Sequence, residues 1–302
     1  MAEDVHLPLY DELVNKYNVT FTAGGSAQNT VRAAQWLLPP GRTIYIGCIG
    51  NDENGRRLRE TATGDGLQVE YMEVDHAPTG ICACLITHNG QCRSLVAHLG
   101  AANHYRLEHA VSERIVVLLK DARCIYISGF FLTVSMDTVM YVVKLAHERG
   151  ITVALNLSAP FICQFYKKQL LQVLPFVDLL FGNEAESTTL GKSLGLEYNR
   201  LEDIARHLST LERTRQVIIT QGADPTIVTN DTQIQTFPVK ALEKNEIVDT
   251  NGAGDAFVGG FLSQFIENRP LETCIAAGHY TASVIIQRSG ITFPPCPAQL
   301  SF

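Results

Sequence analysis

From Thr43 to Thr220 short apolar runs alternate with helix-patterned segments, and this alternation restricts the possible folds more than any other feature of the chain. Runs such as Ile44-Tyr45-Ile46-Gly47-Cys48-Ile49-Gly50 and Arg123-Cys124-Ile125-Tyr126-Ile127-Ser128 are apolar almost without a break, so each reads as a strand buried on both faces. Parallel strands need a crossover of helical length between them. The economical architecture is therefore a three-layer α/β/α sandwich around a mostly parallel central sheet.

The spacing predicts strands over 44–50, 67–74, 123–128, 152–157, 177–181 and 216–220, with two more near 225–230 and 233–239. Helices are predicted over 30–38, 51–63, 104–120, 135–149, 161–173, 184–194, 200–211, 253–267 and 271–288. A short amphipathic helix over 9–17 and a β-prone stretch over 18–21 come first. The stretches 78–87 and 91–99 are joined by His88-Asn89-Gly90, and Asn-Gly between two strands signals a hairpin. A hairpin inside an alternating chain reads as a small lid. The expected division is lid segments over 1–22 and 78–100, and a core over 23–77 and 101–302.

Composition narrows the function. With 302 residues, 46% hydrophobic and 18% charged, the chain can bury a large core. A net charge of −7 argues against a groove that neutralises nucleic-acid phosphates. Eight cysteines without a Cys-x-x-Cys pair read as buried, reduced thiols, and Cys82-x-Cys84 fits one face of a strand better than a metal site. The polar start and the lack of a membrane-length apolar run lead us to expect a cytoplasmic protein, with the nucleus as a further location and no membrane partner.

Chemistry concentrates where glycines introduce helices. In Asp249-Thr250-Asn251-Gly252-Ala253-Gly254-Asp255-Ala256-Phe257 a carboxylate follows a glycine turn just inside a predicted helix. The unpaired N–H groups of such a helix start suit phosphate. Gly252, Ala253 and Gly254 would hold a transferring phosphoryl group while Asp255 takes the proton of an attacking hydroxyl. An ordinary capped helix has the same local sequence.

Ala23-Gly24-Gly25-Ser26-Ala27-Gln28-Asn29 enters another helix and either admits a ligand's hydroxyls or forms a Gly-Gly turn with a serine cap. Asn183 and Glu186 follow a strand at helical spacing, which suits Mg²⁺ through its waters or a capped first turn. Gln221-Gly222 is a turn whose amides can approach a nucleotide. Leu190-Gly191-Lys192-Ser193 ends like a P-loop, but Glu186 stands where its leading glycine belongs. Gly47-x-x-Gly50 lacks the spacing of a dinucleotide fingerprint.

Taken together, the stretch from Asp249 to Phe261 resembles the signature of the ribokinase-like, phosphofructokinase-B family of sugar and nucleoside kinases. Asn183-x-x-Glu186 is similar to that family's magnesium and phosphate motif, and Gly47-x-x-Gly50-x-Asp52-x-x-Gly55 to a further family element. Gly129-Phe130-Phe131-Leu132-Thr133-Val134-Ser135, Leu155-Asn156-Leu157-Ser158-Ala159-Pro160-Phe161, Phe181-Gly182-Asn183-Glu184 and Ala277-Gly278-His279-Tyr280 resemble the adenosine-phosphorylating branch, over 7–294.

The resemblance implies a ribokinase-like monomer that uses ATP as co-substrate, with Mg²⁺, to phosphorylate the 5′-hydroxyl of adenosine, giving AMP and ADP. It makes Asp255 the base, Gly252, Ala253 and Gly254 the anion hole, and Arg93 a hairpin residue reaching phosphate. Gly24, Gly25, Ser26 and Asn29 would meet the ribose; Cys82, Leu95, Ala97, Leu99, Phe131 and Phe161 would form the adenine slot. Asn183, Thr220, Gly222, Asn251 and His279 would flank ATP, and Glu186 would meet the metal through water. Family members begin with a strand, Gly-Asn-Pro-Leu-Leu-Asp, whose aspartate holds the ribose hydroxyls, and no such stretch precedes Leu7. Two readings stay beside the first: a kinase for another nucleoside or a sugar, and a short isoform that binds adenosine or nucleotide with weakened catalysis.

Overall fold

The structure is a computed structural model that describes residues 4–87, 92–197, 200–230 and 233–295. Helices α1 (Leu7–Lys16) and α2 (Ser26–Leu37) lead into β1 (Ile44–Gly50), α3 (Glu53–Gly64) and β2 (Gln68–Val74). β1 and β2 pair in parallel, from Ile44 opposite Gln68 to Gly50 opposite Val74, which is the β-α-β unit expected from the sequence. β3 (Ile81–Thr87) and β4 (Cys92–His98) form an antiparallel hairpin whose predicted Asn-Gly tip lies outside the described residues.

The rest of the chain alternates strictly until its last third. α4 (Leu107–Ala110) and α5 (Glu113–Asp121) precede β5 (Cys124–Ser128), α6 (Met136–Arg149) and β6 (Thr152–Asn156). Then come α7 (Pro160–Phe165), α8 (Lys167–Val173), β7 (Leu179–Asn183), α9 (Glu184–Ser193), α10 (Leu201–Thr210) and β8 (Gln216–Gln221). β9 (Asp224–Asn230), β10 (Gln233–Phe237), α11 (Ala253–Phe265) and α12 (Leu271–Ile286) complete it. The six-stranded sheet has the order β10-β9-β8-β7-β6-β5, parallel from β5 to β8 and antiparallel at β9 and β10.

Strand alternation sorts the core onto two faces. Leu155, Leu180 and Ile219 face Val139, Val143, Ile162, Leu190 and Leu208. Leu179, Phe181 and Ile218 face the other way, onto Phe257, Phe261 and Ile275. Each such buried side chain contributes about 1.5–3 kcal/mol. Three layers result, and they bring the starts of α2 and α11 to the carboxyl end of the sheet. Among the described residues no helix is long and apolar enough to cross a membrane.

Local departures from the sequence reading have physical causes. The helix expected over 104–120 is broken at Ser112, whose hydroxyl bonds back to the His109 carbonyl while its backbone turns extended. Residues 18–21 form no strand, and Phe21 instead lies exposed under the Arg57 guanidinium, 5.3 Å from its ring centre. Cys48, Cys163 and Cys274 are buried thiols as expected, but Cys82 and Cys84 are exposed: they share a face of β3 that lines the cleft, and Ala83 takes the opposite, buried face.

One feature of the sheet bears on the site. Among the described residues β1 pairs only with β2, and β5 only with β6. Yet Ile46 of β1 and Ile125 of β5 pack on one helical surface, made by Ile115, Leu119 and Val142 of α5 and α6. α2 contacts both strands. The two facing strands therefore border a continuous cleft of about 3040 Å³ without a ladder between them.

Candidate active site

The first turn of α11 is built by glycines and a buried carboxylate. Asp249 accepts from Asn251 N at 2.9 Å and from Gly290 N at 3.3 Å, and its own N–H bonds to Ile286 O, so the turn is stapled to the end of α12. Gly252 caps α11 at φ +74°, and a Cβ there would stand 2.2 Å from Ile291 Cδ1. Only glycine fits this position. Gly254 by contrast faces open space, on the side where the helix's unpaired N–H groups meet the cleft.

Asp255 stands one residue further. Its Oδ1 accepts from Ser26 Oγ at 2.8 Å and its Oδ2 from Asn29 Nδ2 at 3.0 Å. Burial pushes its pKa up to about 6, against the two hydrogen bonds, which pull it down. The juxtaposition depends on close helix packing: a Cβ on Gly259 of α11 would meet Thr30 O at 2.3 Å and Ala33 Cβ at 2.5 Å on α2. Gly25, at φ +98°, starts α2 with the Ser26 side chain toward α11, and Gly24 lines the cleft beside it.

Behind Asp255 lies a set of hydroxyls. Ser128 Oγ donates to Ser26 Oγ at 3.4 Å and lies 3.1 Å from Ser158 Oγ, which accepts from Gly129 N at 2.9 Å. Ser158 adopts φ +67°, unusual for a residue with a side chain. Three buried polar atoms here have no hydrogen-bond partner: Gln28 Nε2, Asn29 Oδ1 and the Tyr126 hydroxyl. Tyr126 has Thr30, Asn156 and Ser26 as polar neighbours, none in bonding geometry.

On the other flank Asn183 and Glu186 form a reciprocal capping box at the start of α9. Glu186 N donates to Asn183 Oδ1 at 2.8 Å, while Asn183 N and Nδ2 donate to the Glu186 carboxylate at 3.0 Å each. Glu186 is only 6% exposed, and burial raises its pKa to about 7, opposed by the Asn183 N–H and assisted by Glu184 and Asp255. His279 Nε2 lies 2.8 Å from Thr226 Oγ1, and burial lowers its pKa. Thr220, Gly222, Asn251 and His279 all line the same cleft.

The hairpin covers the opening. Cys82, Leu95, Ala97 and Leu99 line the cleft, with Leu95 56% exposed. Tyr10 OH of α1 donates to Val96 O at 2.9 Å, and Asn251 Nδ2 to Cys84 Sγ at 3.3 Å, joining the hairpin to the glycine turn. Arg93 belongs to β4, but its side chain lies outside the described residues. Phe131 lines the cleft and meets Tyr105 edge-on at 5.4 Å. Phe161 does not line it; the ring tilts against Phe130 at 6.0 Å, and Phe130 takes the place on the wall.

Phe130, Tyr126, Ser128 and Ser158 also line the cleft, beyond the residues expected from the sequence, and each stands in or just after an apolar strand, where ligands of open α/β sheets collect. The decoy Gly191-Lys192-Ser193 ends α9, with Gly191 packed on Ile204.

Known proteins resemble this chain over nearly its whole length. Residues 2–298 match the model of the "pfkB family carbohydrate kinase". "Adenosine kinase 2" of Arabidopsis thaliana is 45% identical over 303 residues, covering 98% of this chain and 87% of that protein. Adenosine kinase of Anopheles gambiae, solved with P1,P4-di(adenosine-5) tetraphosphate, superposes with a TM-score of 0.94 at 45% identity, over 98% of this chain and 89% of that one. Adenosine kinase of Schistosoma mansoni, solved with 2-fluoroadenosine, gives 0.92 at 33% identity, over 97% and 88%. The fold is thus ribokinase-like, and this chain belongs to the pfkB family of carbohydrate kinases.

Proposed function

We propose that the chain transfers the terminal phosphoryl group of ATP to the 5′-hydroxyl of adenosine, giving AMP and ADP. The observation that carries this reading is Asp255: a carboxylate with a pKa near 6, held by Ser26 and Asn29 directly behind the Gly252-Ala253-Gly254 helix start. A carboxylate of that basicity is mostly ionised at neutral pH and accepts the hydroxyl proton as the new P–O bond forms. The N–H groups of the α11 first turn stabilise charge on the transferring group. Adenosine is the favoured acceptor because the relatives named above are adenosine kinases and two of them bind adenosine-containing ligands.

The hairpin and α1 act as the lid, with Phe130, Phe131 and the aliphatic hairpin residues around the flat faces of adenine. Among the described residues no group of three or more His, Cys, Asp or Glu side chains forms a metal cage. Glu186, buried beside Asn183 at the start of α9, would meet Mg²⁺ through water, since that ion keeps several waters and arrives with its triphosphate. When bound, the ion offsets phosphate charge. A panel of nucleosides and sugars assayed for ADP release tests the reading: adenosine has the highest kcat/KM, and Asp255→Asn lowers it by about 10²–10⁴. Near-normal AMP formation by that variant would remove the assigned base.

Beside the β1–β5 opening Gln28 Nε2, Asn29 Oδ1 and the Tyr126 hydroxyl are buried and unpaired, at a cost of about 1–3 kcal/mol each that a ligand hydroxyl or water would offset.

A further inference from the structure

Asp52 joins two parts of the molecule without lining the cleft. Its Oδ1 accepts from Gly55 N at 2.8 Å, capping α3, and from Thr79 Oγ1 at 2.7 Å; its Oδ2 accepts from Thr79 N at 2.7 Å. Gly50 N donates in turn to Thr79 Oγ1 at 2.9 Å. Thr79, 4% exposed, stands at the root of the hairpin, two residues before β3. The return arm is fastened beside it, with Ala101 N bonded to Pro78 O at 2.7 Å.

Around this point the backbones cross too closely for side chains. A Cβ on Gly50 would stand 2.5 Å from Ala77 O, one on Gly55 2.4 Å from Gly50 O, one on Gly80 2.6 Å from Leu99 O, and one on Gly100 2.2 Å from Pro78 O. The root is therefore rigid, while the far part of the hairpin is held to the body by exposed contacts such as Asn251 to Cys84. The hydrogen bonds from Thr79 and Gly55 outweigh burial and hold the Asp52 carboxyl below its usual range, so it stays charged and strongly accepting.

We propose that Asp52 is a positioning residue of the kinase: through Thr79 it sets the angle at which the β3–β4 hairpin stands over the acceptor. The inference rests on the lid reading given above. It explains why the Gly50-x-Asp52-x-x-Gly55 pattern carries a carboxylate although that group lines no part of the cleft.

The test separates capping from clamping. In Asp52→Asn one oxygen still caps α3, but an amide NH₂ faces the Thr79 N–H. We expect the adenosine KM to rise about tenfold with the ATP KM within about twofold. Thr79→Val shares the defect, Thr79→Ser restores it, and the Asn/Val double variant is no worse than either single one. Amide exchange over β3 and β4, measured without ligand, speeds up in the Asn and Val variants and is independent of turnover. Unchanged exchange and unchanged adenosine KM, with only a lower Tm, overturn the proposal; no ADP release by the unsubstituted protein overturns the kinase reading instead and leaves the exchange result to decide the clamp.

Discussion

Ser26 Oγ donates to Asp255 Oδ1 at 2.8 Å, joining the first turn of α2 to the first turn of α11 across 229 positions of sequence. Both oxygens of the carboxylate are thereby held, and its orientation is fixed before any acceptor arrives.

Removing that donor changes basicity as well as geometry. The Ser26 hydrogen bond lowers the Asp255 pKa against the effect of burial, so Ser26→Ala raises it further. The acidic limb of the kcat/KM profile moves to higher pH. At pH 6.5 the variant loses several-fold in rate, and much of the loss is recovered near pH 8.5. An unshifted limb would mean that the serine only holds the helix start.

Asp255 also predicts a stability effect of opposite sign to its catalytic one. Its folded pKa of about 6 lies above the ordinary 3.8, so the folded protein binds the proton more tightly than the unfolded chain. Ionisation therefore costs stability progressively between those two values and fully above the higher one. Asp255→Asn should be more stable than the natural protein at pH 7.5, by on the order of 1 kcal/mol, with the gap closing as pH falls toward 4. Its turnover should drop by about 10²–10⁴. Thermal melts at several pH values, beside the activity assay, check both.

Two glycines of α11 should separate packing from chemistry. Gly259→Ala forces α2 and α11 apart, since its Cβ meets Thr30 O at 2.3 Å, and should cost about 1–3 kcal/mol along with activity. Gly254→Ala meets nothing within 4 Å and gains helix propensity of roughly 0.5–1 kcal/mol. Its Tm should rise while the ATP-dependent rate falls, because the methyl group enters the space left for phosphate.

His279 is expected to act as a neutral imidazole. Burial lowers its pKa and Thr226 Oγ1 faces its Nε2. The KM for ATP should not vary with histidine titration between about pH 6.5 and 8.5. His279→Ala should raise that KM several-fold and leave the adenosine KM in place.

Strands such as Ile44–Gly50 and Thr152–Asn156 were legible because continuous apolar runs have few other solutions. Residues 18–21 misled because β propensity is realised only against a partner, and none pairs there. The break at Ser112 was hidden because apolar spacing runs through it. At the site, the glycine pattern before Asp255 and the Asn183–Glu186 pair were visible as local motifs. The Ser26–Asp255 and Asp52–Thr79 bonds were not, because they join segments distant in sequence. That Phe130 joins Phe131 on the cleft wall was hidden because Gly129–Thr133 is a tight 3₁₀ turn, whose side-chain directions spacing does not reveal.

The facing but unjoined strands β1 and β5 give the molecule a mechanical seam. The unit β1-α3-β2 is held to the rest by side-chain contacts alone, through Ile46, through Cys48 and Val74 on Tyr105 and Ala110, through Glu70 to Arg114, through Asp52 to Thr79 and through α2, while β5 to β8 share continuous ladders. Packing alone is lost sooner than packing and ladder together, so this unit should open as a separate cooperative block. Native-state hydrogen exchange in increasing denaturant should show the amides of β1 and β2 exchanging together at lower free energy than those of β6 and β7. The protein would then unzip from this seam outward, and the ladder beneath α11 would be the last part to let go.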